Sequence, residues 1–309
     1  MEFEYFVVDV FTDTALQGNG LAVVMNSAGL TTERMQAIAR EFNLSETTFI
    51  ERGALETERR EGVRVRIFTT REELNFAGHP TLGTASVLRL FAPEAADRGT
   101  VKLKLKLNAG TVPVRFERGA DATGAAGNAI SGEMTQPEPE FGAELEGPQV
   151  ARLCGLRADD LDSALPPQVV STGTPFAIAV LRSLEALSRL KVNHDEATPW
   201  LRDRGARWFY VLSPALDTYQ GPGQQQFRAR MQFYGGEDPA TGSAAGCAIS
   251  YLVARGAVAS DDRIRLRQGV EMGRTSDMLL AARRDGARVT DVRVGGRTVL
   301  VAKGRLFLP

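Results

Sequence analysis

The chain has 309 residues, 43% of them hydrophobic and 24% charged, and its 37 basic against 38 acidic side chains leave a formal net charge of −1. That length accommodates two domains or one large one, and the composition is that of an ordinary globular protein. The charge balance provides no global field for nucleic acid or an anionic membrane, and no apolar run reaches the roughly 18–20 residues of a membrane span. The acidic first residues are unlike a basic-headed signal peptide. The two cysteines, Cys154 and Cys247, give neither a disulfide framework nor metal-ligand spacing. The expectation is a cytoplasmic, soluble protein with reduced thiols.

Residues 5–11 read as a strand, Gly18-Asn19-Gly20 as a tight turn, and residues 21–25 as a second strand. A helix is predicted over 32–42, where Met35, Ile38, Ala39 and Phe42 recur at the spacing of one apolar face. Strands follow at 44–51 and 63–68, and then a helix starting at Pro80. The strict alternation over 101–107 predicts a strand with one buried face and one lysine-bearing wet face. Residues 118–128 are rich in Gly and Ala without periodicity, which predicts a hinge or surface loop. The second half repeats this plan, with strands at 168–181, 208–212 and 227–233, then a helix from Pro239 to Ala254. Strands near 289–294 and 297–307 end the chain. The helix from Pro239 has no charge over its length, and the one from Pro80 has none as far as Leu88. Helices apolar on all sides must be surrounded, so the pattern predicts two barrel-like α+β halves, each wrapped around one helix.

Both helices begin alike. Gly78-His79-Pro80-Thr81-Leu82-Gly83 and Asp238-Pro239-Ala240-Thr241-Gly242-Ser243 each place a polar residue before proline and small residues after it. Proline suits the first helical position, and small residues leave the first-turn N–H groups open to an anion. The pair predicts a carboxylate-binding cleft between two halves. Glu46 is the sharpest chemical candidate. Period two places it with Leu44, Thr48 and Ile50, and if that face is inward, burial tunes a carboxyl for proton transfer. The opposite face carries Ser45, Thr47 and Phe49, and alternation alone leaves both orientations open. His79 stands beside the expected anion site, either as a functional group or as cleft-wall packing. Asp238 reads as an ordinary N-cap whose second oxygen is available to a substrate amine or hydroxyl. Thr241 and Ser243 are first-turn residues whose chemical value depends on the cleft. No dinucleotide fingerprint, phosphate loop or zinc cluster is present, so the site is expected to need no cofactor.

Five segments carry a resemblance: Gly18-Asn19 with Leu21–Val24, Asn43–Phe49, Phe76–Ala85, Gly236–Ala244, and Gln268-Gly269-Val270-Glu271-Met272-Gly273-Arg274. In this order, and spanning nearly the whole chain, they resemble the phenazine-biosynthesis PhzF-like isomerase family, which shares the diaminopimelate epimerase fold. The resemblance implies an α+β fold of two similar halves, each a mostly antiparallel barrel-like sheet around a central helix. It also implies a homodimer and no cofactor. The family's catalytic glutamate falls on Glu46, which favours the inward orientation. Its histidine and aspartate fall on His79 and Asp238, its serine on Ser243, and its substrate-holding amides on Gly78 and Gly242. Ser45 and Thr241 complete the implied binding set. The racemases of this fold use two opposed thiols, and those positions are Ala77 and Ala240 here, which disfavours a two-thiol mechanism. Cys247, further along the second helix, reads as core packing.

The expected domains are 1–117 with about 288–309, carrying Glu46 and the His79-Pro80 helix, and 128–287, carrying the Asp238-Pro239 helix. The expected function is a cofactor-independent isomerase that moves a proton between carbons of a small carboxylate-bearing substrate. Glu46 would be the acid/base. A non-catalytic binding or regulatory protein of the same fold, or an amino-acid epimerase or hydratase, is the alternative. No nucleic acid or membrane partner is expected.

Overall fold

The computed structural model describes residues 1–95, 102–116, 129–215, 225–233 and 236–308. The loop expected over 118–128 lies outside the described residues. The chain divides into two compact units, Met1–Thr135 with Gly295–Pro309, and Gln136–Val294.

The first unit holds strands β1 (Glu2–Val10), β2 (Asn19–Val24), β3 (Glu46–Glu51), β4 (Val63–Thr69), the short β5 (Glu73–Leu74), β6 (Lys102–Leu107), β7 (Gly110–Phe116) and β8 (Ile130–Thr135). Its helices are α1 (Thr32–Phe42), α2 (Leu55–Glu61) and α3 (Gly78–Phe91). The sheet runs β1-β2-β3-β4-β6-β7-β8 to the last strand of the chain, Arg288–Phe307, which pairs back to β1 from Val10↔Thr298 to Glu2↔Phe307. An eight-strand barrel is thereby closed, and closure leaves no sheet edge. The barrel encloses α3, buried without interruption from Gly78 to Leu88. Gly83 explains the close approach: a Cβ there would lie 2.6 Å from Leu21 Cδ2 and 2.7 Å from Val10 Cγ2. Outside the barrel, α1 lays Met35, Ile38 and Ala39 over Phe49, Phe68, Val24 and Phe3.

In the second unit the helices are α4 (Gly147–Leu153), α5 (Leu184–Ser188), α6 (His194–Arg202) and α7 (Gly242–Ala254). The strands are β9 (Glu140–Glu144), β10 (Gln168–Ser171), β11 (Pro175–Val180), β12 (Trp208–Pro214), β13 (Gln226–Arg230), β14 (Gln232–Phe233), β15 (Gly236–Glu237), β16 (Ile264–Gln268), β17 (Ser276–Asp285) and β18 (Arg288–Phe307). The order is β9-β10-β11-β12-β13-β16-β17-β18, with parallel pairings at β11/β12 and β13/β16. Helix α7 is buried from Gly242 to Val253. The whole is a mixed α/β fold with a closed eight-strand barrel and further strands.

Three expectations need correction. The unit boundaries fall at Thr135/Gln136 and Val294/Gly295 rather than near 117/128 and 288. Strand β8 belongs to the first unit because it pairs with β7, and a Cβ on its Gly132 would lie 2.8 Å from Leu82 of α3. The run at 168–181 is a hairpin, β10 and β11 antiparallel, turned at Gly173 with φ 118°. The segment at 227–233 breaks after Arg230, whose guanidinium is held by Glu237 and by the carbonyls of Leu187 and Ser188. Among the described residues, no helix is long and apolar enough to cross a membrane.

Candidate active site

Glu46 begins β3, and α1 delivers it there. Thr31 caps the helix start by accepting from Arg34 N–H, and Asn43 ends the helix in the left-handed region (φ 50°), its N–H donating to Ala39 O. Asparagine tolerates that conformation better than most residues. Both faces of β3 are covered, which is why its alternation was ambiguous. Phe49 faces α1, while Thr48 points to α3, its hydroxyl 2.8 Å from that of Thr84. Glu46 shares the Thr48 face by period two, so the carboxylate is turned inward. Its side chain is 12% exposed, and Oε2 lies 3.2 Å from His79 Nε2.

His79 sits in the first turn of α3 and is buried. Helix α3 starts at Gly78, two residues earlier than the proline expected at its head, so Pro80 is the third helical residue. Proline is still tolerated there, because first-turn N–H groups have no intrahelical acceptor. Ala77 precedes the helix in extended conformation and supplies no capping side chain. The Thr81 hydroxyl turns back to Ala77 O at 2.6 Å. Helix geometry therefore leaves the N–H groups of Gly78 and His79 without an intrahelical partner. Burial pushes the His79 imidazolium down to about 3, so the ring is neutral near pH 7. The adjacent carboxylate favours the charged ring, but removal from water outweighs it. Asn19, fully buried at the start of β2, places Nδ2 at 3.1 Å from His79 Nδ1. An amide nitrogen only donates, so in this orientation Nδ1 accepts and the ring hydrogen is on Nε2, which lies near Glu46 Oε2 without hydrogen-bond geometry to it. Ser45 is half-buried immediately ahead of Glu46.

The second constellation surrounds the start of α7. Asp238, Thr241, Gly242 and Ser243 are all buried there. Asp238 is not the N-cap and Pro239 is not the first helical residue: α7 begins at Gly242 after Thr241. The segment is held in a turn instead. The Thr241 hydroxyl donates to Asp238 Oδ2 at 2.7 Å, and the Thr241 N–H donates to Gln268 Oε1 at 3.1 Å. Both polar hydrogens of Thr241 are thus used inside the protein. Thr241 does not cap the helix with its side chain, so the Gly242 and Ser243 N–H groups have no intrahelical acceptor. Beneath this turn Gln136 Nε2 donates to Gly242 O at 2.8 Å, while Gln136 Oε1 accepts from Thr172 Oγ1 at 2.6 Å. Burial raises the Cys247 thiol to about 11.

Within the first unit Glu46, His79 and Gly78 come together; within the second, Asp238, Thr241, Gly242 and Ser243 do. Sequence reasoning missed Asn19, read as part of a turn, and Gln268, quoted in a motif without a role. Each had a signal. Asn19 is polar at the mouth of an apolar strand, and Gln268 continues the buried face of Ile264 and Leu266. Among the described residues, no group of three or more His, Cys, Asp or Glu side chains is arranged to hold a metal ion.

A family model described as phenazine biosynthesis-like protein matches residues 8–304. The trans-2,3-dihydro-3-hydroxyanthranilate isomerase of Pseudomonas aeruginosa is 36% identical over 307 residues, 98% of this chain and 99% of its own. The enzyme of that name from Pseudomonas chlororaphis is 33% identical over the same shares. A solved structure titled as a predicted epimerase from Pseudomonas aeruginosa aligns with TM-score 0.79 and 34% identity over 99% of this chain and 100% of that one. A hydroxyproline epimerase from Agrobacterium vitis, at TM-score 0.63 and 12% identity over 99% and 91%, shares the fold alone. Matched over nearly its whole length, the chain belongs to the PhzC-PhzF family of phenazine biosynthesis-like proteins, whose named relatives are isomerases.

Proposed function

We propose that this protein is a cofactor-independent isomerase that moves a proton between two carbons of a small carboxylate-bearing molecule, with Glu46 as the acid/base. The observation that carries the reading is the inward carboxylate of Glu46, 12% exposed and 3.2 Å from the Nε2 of a buried histidine. In the forward step the Glu46 carboxylate takes a proton from a substrate C–H, and the electron pair enters the substrate's conjugated system. The same proton, now on Glu46, is returned to a second carbon as the double bonds shift, so no group is lost or gained. One base suffices when the proton leaves and returns on the same face. The neutral His79 ring lines the pocket wall beside the carboxylate, its Nε2 3.2 Å from Glu46 Oε2. The N–H groups at Gly78 and at Gly242 and Ser243, each at a helix start, suit a substrate carboxylate. Asp238 is assigned a substrate amine or hydroxyl, and Ser243 a hydrogen bond to the substrate. Donors aimed at developing negative charge lower the barrier to C–H ionisation.

The test uses trans-2,3-dihydro-3-hydroxyanthranilate, the compound named for the relatives, followed by proton NMR in D2O with wild-type protein and Glu46→Gln. Conversion by wild type, with turnover lowered about 10²–10⁴-fold in the variant, is the expected result, since that is the usual contribution of a positioned acid/base. Comparable turnover by both proteins would overturn the single-base mechanism. Wild-type line broadening of the ligand without conversion would retain the carboxylate site and reject this substrate.

A further inference from the structure

Gln268 is fully buried, and its side chain uses all four of its hydrogen-bonding positions. Nε2 donates to Asp238 O at 2.8 Å and to Thr241 Oγ1 at 3.0 Å. Oε1 accepts from Thr241 N–H at 3.1 Å and from Tyr210 Oη at 2.8 Å. A backbone carbonyl only accepts and a backbone N–H only donates, so these two partners determine which end of the amide is which. The rest follows without choice. Since Thr241 Oγ1 receives a hydrogen from Gln268, its own hydrogen goes to Asp238 Oδ2, 2.7 Å away. Tyr210 is the head of this chain, and burial together with the Asp238 charge holds its phenol protonated, well above the ordinary tyrosine range.

The same turn is pressed from below by Gly269. Its φ is +78°, and a Cβ there would stand 2.7 Å from Pro239 O and 3.1 Å from Pro239 Cα, with Arg274 O also in the way. Only glycine lets β16 leave its last residue and pass against Asp238-Pro239 in that conformation. The Gln268-Gly269 pair thus grips the Asp238–Thr241 turn through both hydrogen bonds and close backbone contact.

We propose that Gln268, acting through the Thr241 hydroxyl, is the positioning device that sets the orientation of the Asp238 carboxylate and keeps its Oδ2 a hydrogen-bond acceptor. This rests on the reading of Asp238 as a substrate-binding group. It assigns Asp238 to gripping a substrate donor, an amine or hydroxyl, and assigns the proton traffic to Glu46. Gln268 and Thr241 touch no substrate and act only through Asp238.

The test compares Thr241→Val, which removes the hydroxyl at nearly constant volume, with Thr241→Ser, which keeps it. With the NMR assay above, Thr241→Val is expected to lower kcat/KM by about 10- to 100-fold, the size of one lost hydrogen bond to a charged group. Thr241→Ser is expected to recover most of that loss. In an Asp238→Asn background, adding Thr241→Val is expected to change kcat/KM less than threefold. A full independent loss in that background would mean a merely structural role and overturn the proposal. Crystal structures give a readout without turnover. Asp238 rotated in Thr241→Val and restored in Thr241→Ser supports the device, while an unmoved carboxylate in Thr241→Val refutes it. Wild-type activity unaffected by Asp238→Asn would instead reject the role given to Asp238, with the crystallographic outcome still deciding the positioning claim.

Discussion

The two central helices begin with similar sequences and are built by different physics. At α3 the chemical groups are set by burial. His79 is enclosed and neutral, its Nε2 3.2 Å from Glu46 Oε2, and Thr81 bonds back onto the N-cap backbone at Ala77 O. At α7 the groups are set by hydrogen bonds. Gln268 and Tyr210 hold the Asp238–Thr241 turn, and Gln136 with Thr172 holds the first carbonyls of the helix. A group fixed by packing keeps a tunable protonation state, while one fixed by a saturated network keeps a fixed polarity. That difference matches a proton-transfer role for Glu46 and a gripping role for Asp238.

The largest expected effect separates these roles. Glu46→Gln should lower kcat by about 10²–10⁴-fold with KM little changed, because an interaction made only in the transition state is removed. Asp238→Asn should act mainly on KM. Equal effects of both substitutions on kcat alone would erase the distinction.

Next in size is a pair of glycines in the two helices. A methyl at Gly83 meets Leu21 Cδ2 and Val10 Cγ2, ends of side chains that can shift. At Gly246 it meets the amide of Gln136, which is bound to Gly242 O and Thr172. Gly83→Ala carries an overpacking cost of about 1–3 kcal/mol, offset by about 1 kcal/mol of helix propensity. Gly246→Ala carries a further ~1–3 kcal/mol because a buried amide loses its partners. Urea unfolding of both variants reads the difference. A Gly246→Ala penalty no larger than that of Gly83→Ala would show that the network under α7 yields easily.

Much of this was legible in the sequence. The apolar spacing of Met35, Ile38 and Ala39, the alternation of β6 and the uncharged lengths of α3 and α7 all report one-dimensional periods, which survive folding intact. What was illegible depends on contacts distant in the chain. Nothing local says that Asp238 is drawn away from a capping role by Gln268, 30 residues later. Likewise the placement of β8 depends on Gly132 meeting Leu82 and Phe116. Glu46 was ambiguous for another reason. Its strand is covered on both faces, by α3 inside and α1 outside, so alternation carries no polarity there.

The smallest expected effect asks whether burial or the neighbouring carboxylate governs His79, and it has a definite sign. In the folded protein the ring titrates at about 3, whereas an unfolded chain has the ordinary value of about 6.5. Between those values the unfolded state binds more protons, so stability rises with pH there and is independent of this group above about 6.5. Lowering the pH from 7.5 to 5.5 should therefore cost about 1.4 kcal/mol through His79 alone. Many other groups titrate in that range, so the quantity to compare is the urea unfolding free energy of wild type minus that of His79→Gln at each pH. Burial predicts that this difference shrinks on acidification. Had the Glu46 carboxylate, 3.2 Å away, won instead, the folded ring would hold its proton more tightly than the unfolded one, and the difference would grow as the pH falls. A growing difference would make the pair an ion pair rather than a carboxylate beside a neutral ring. The α3 start would then be governed by charge pairing, and its contrast with α7 would be gone.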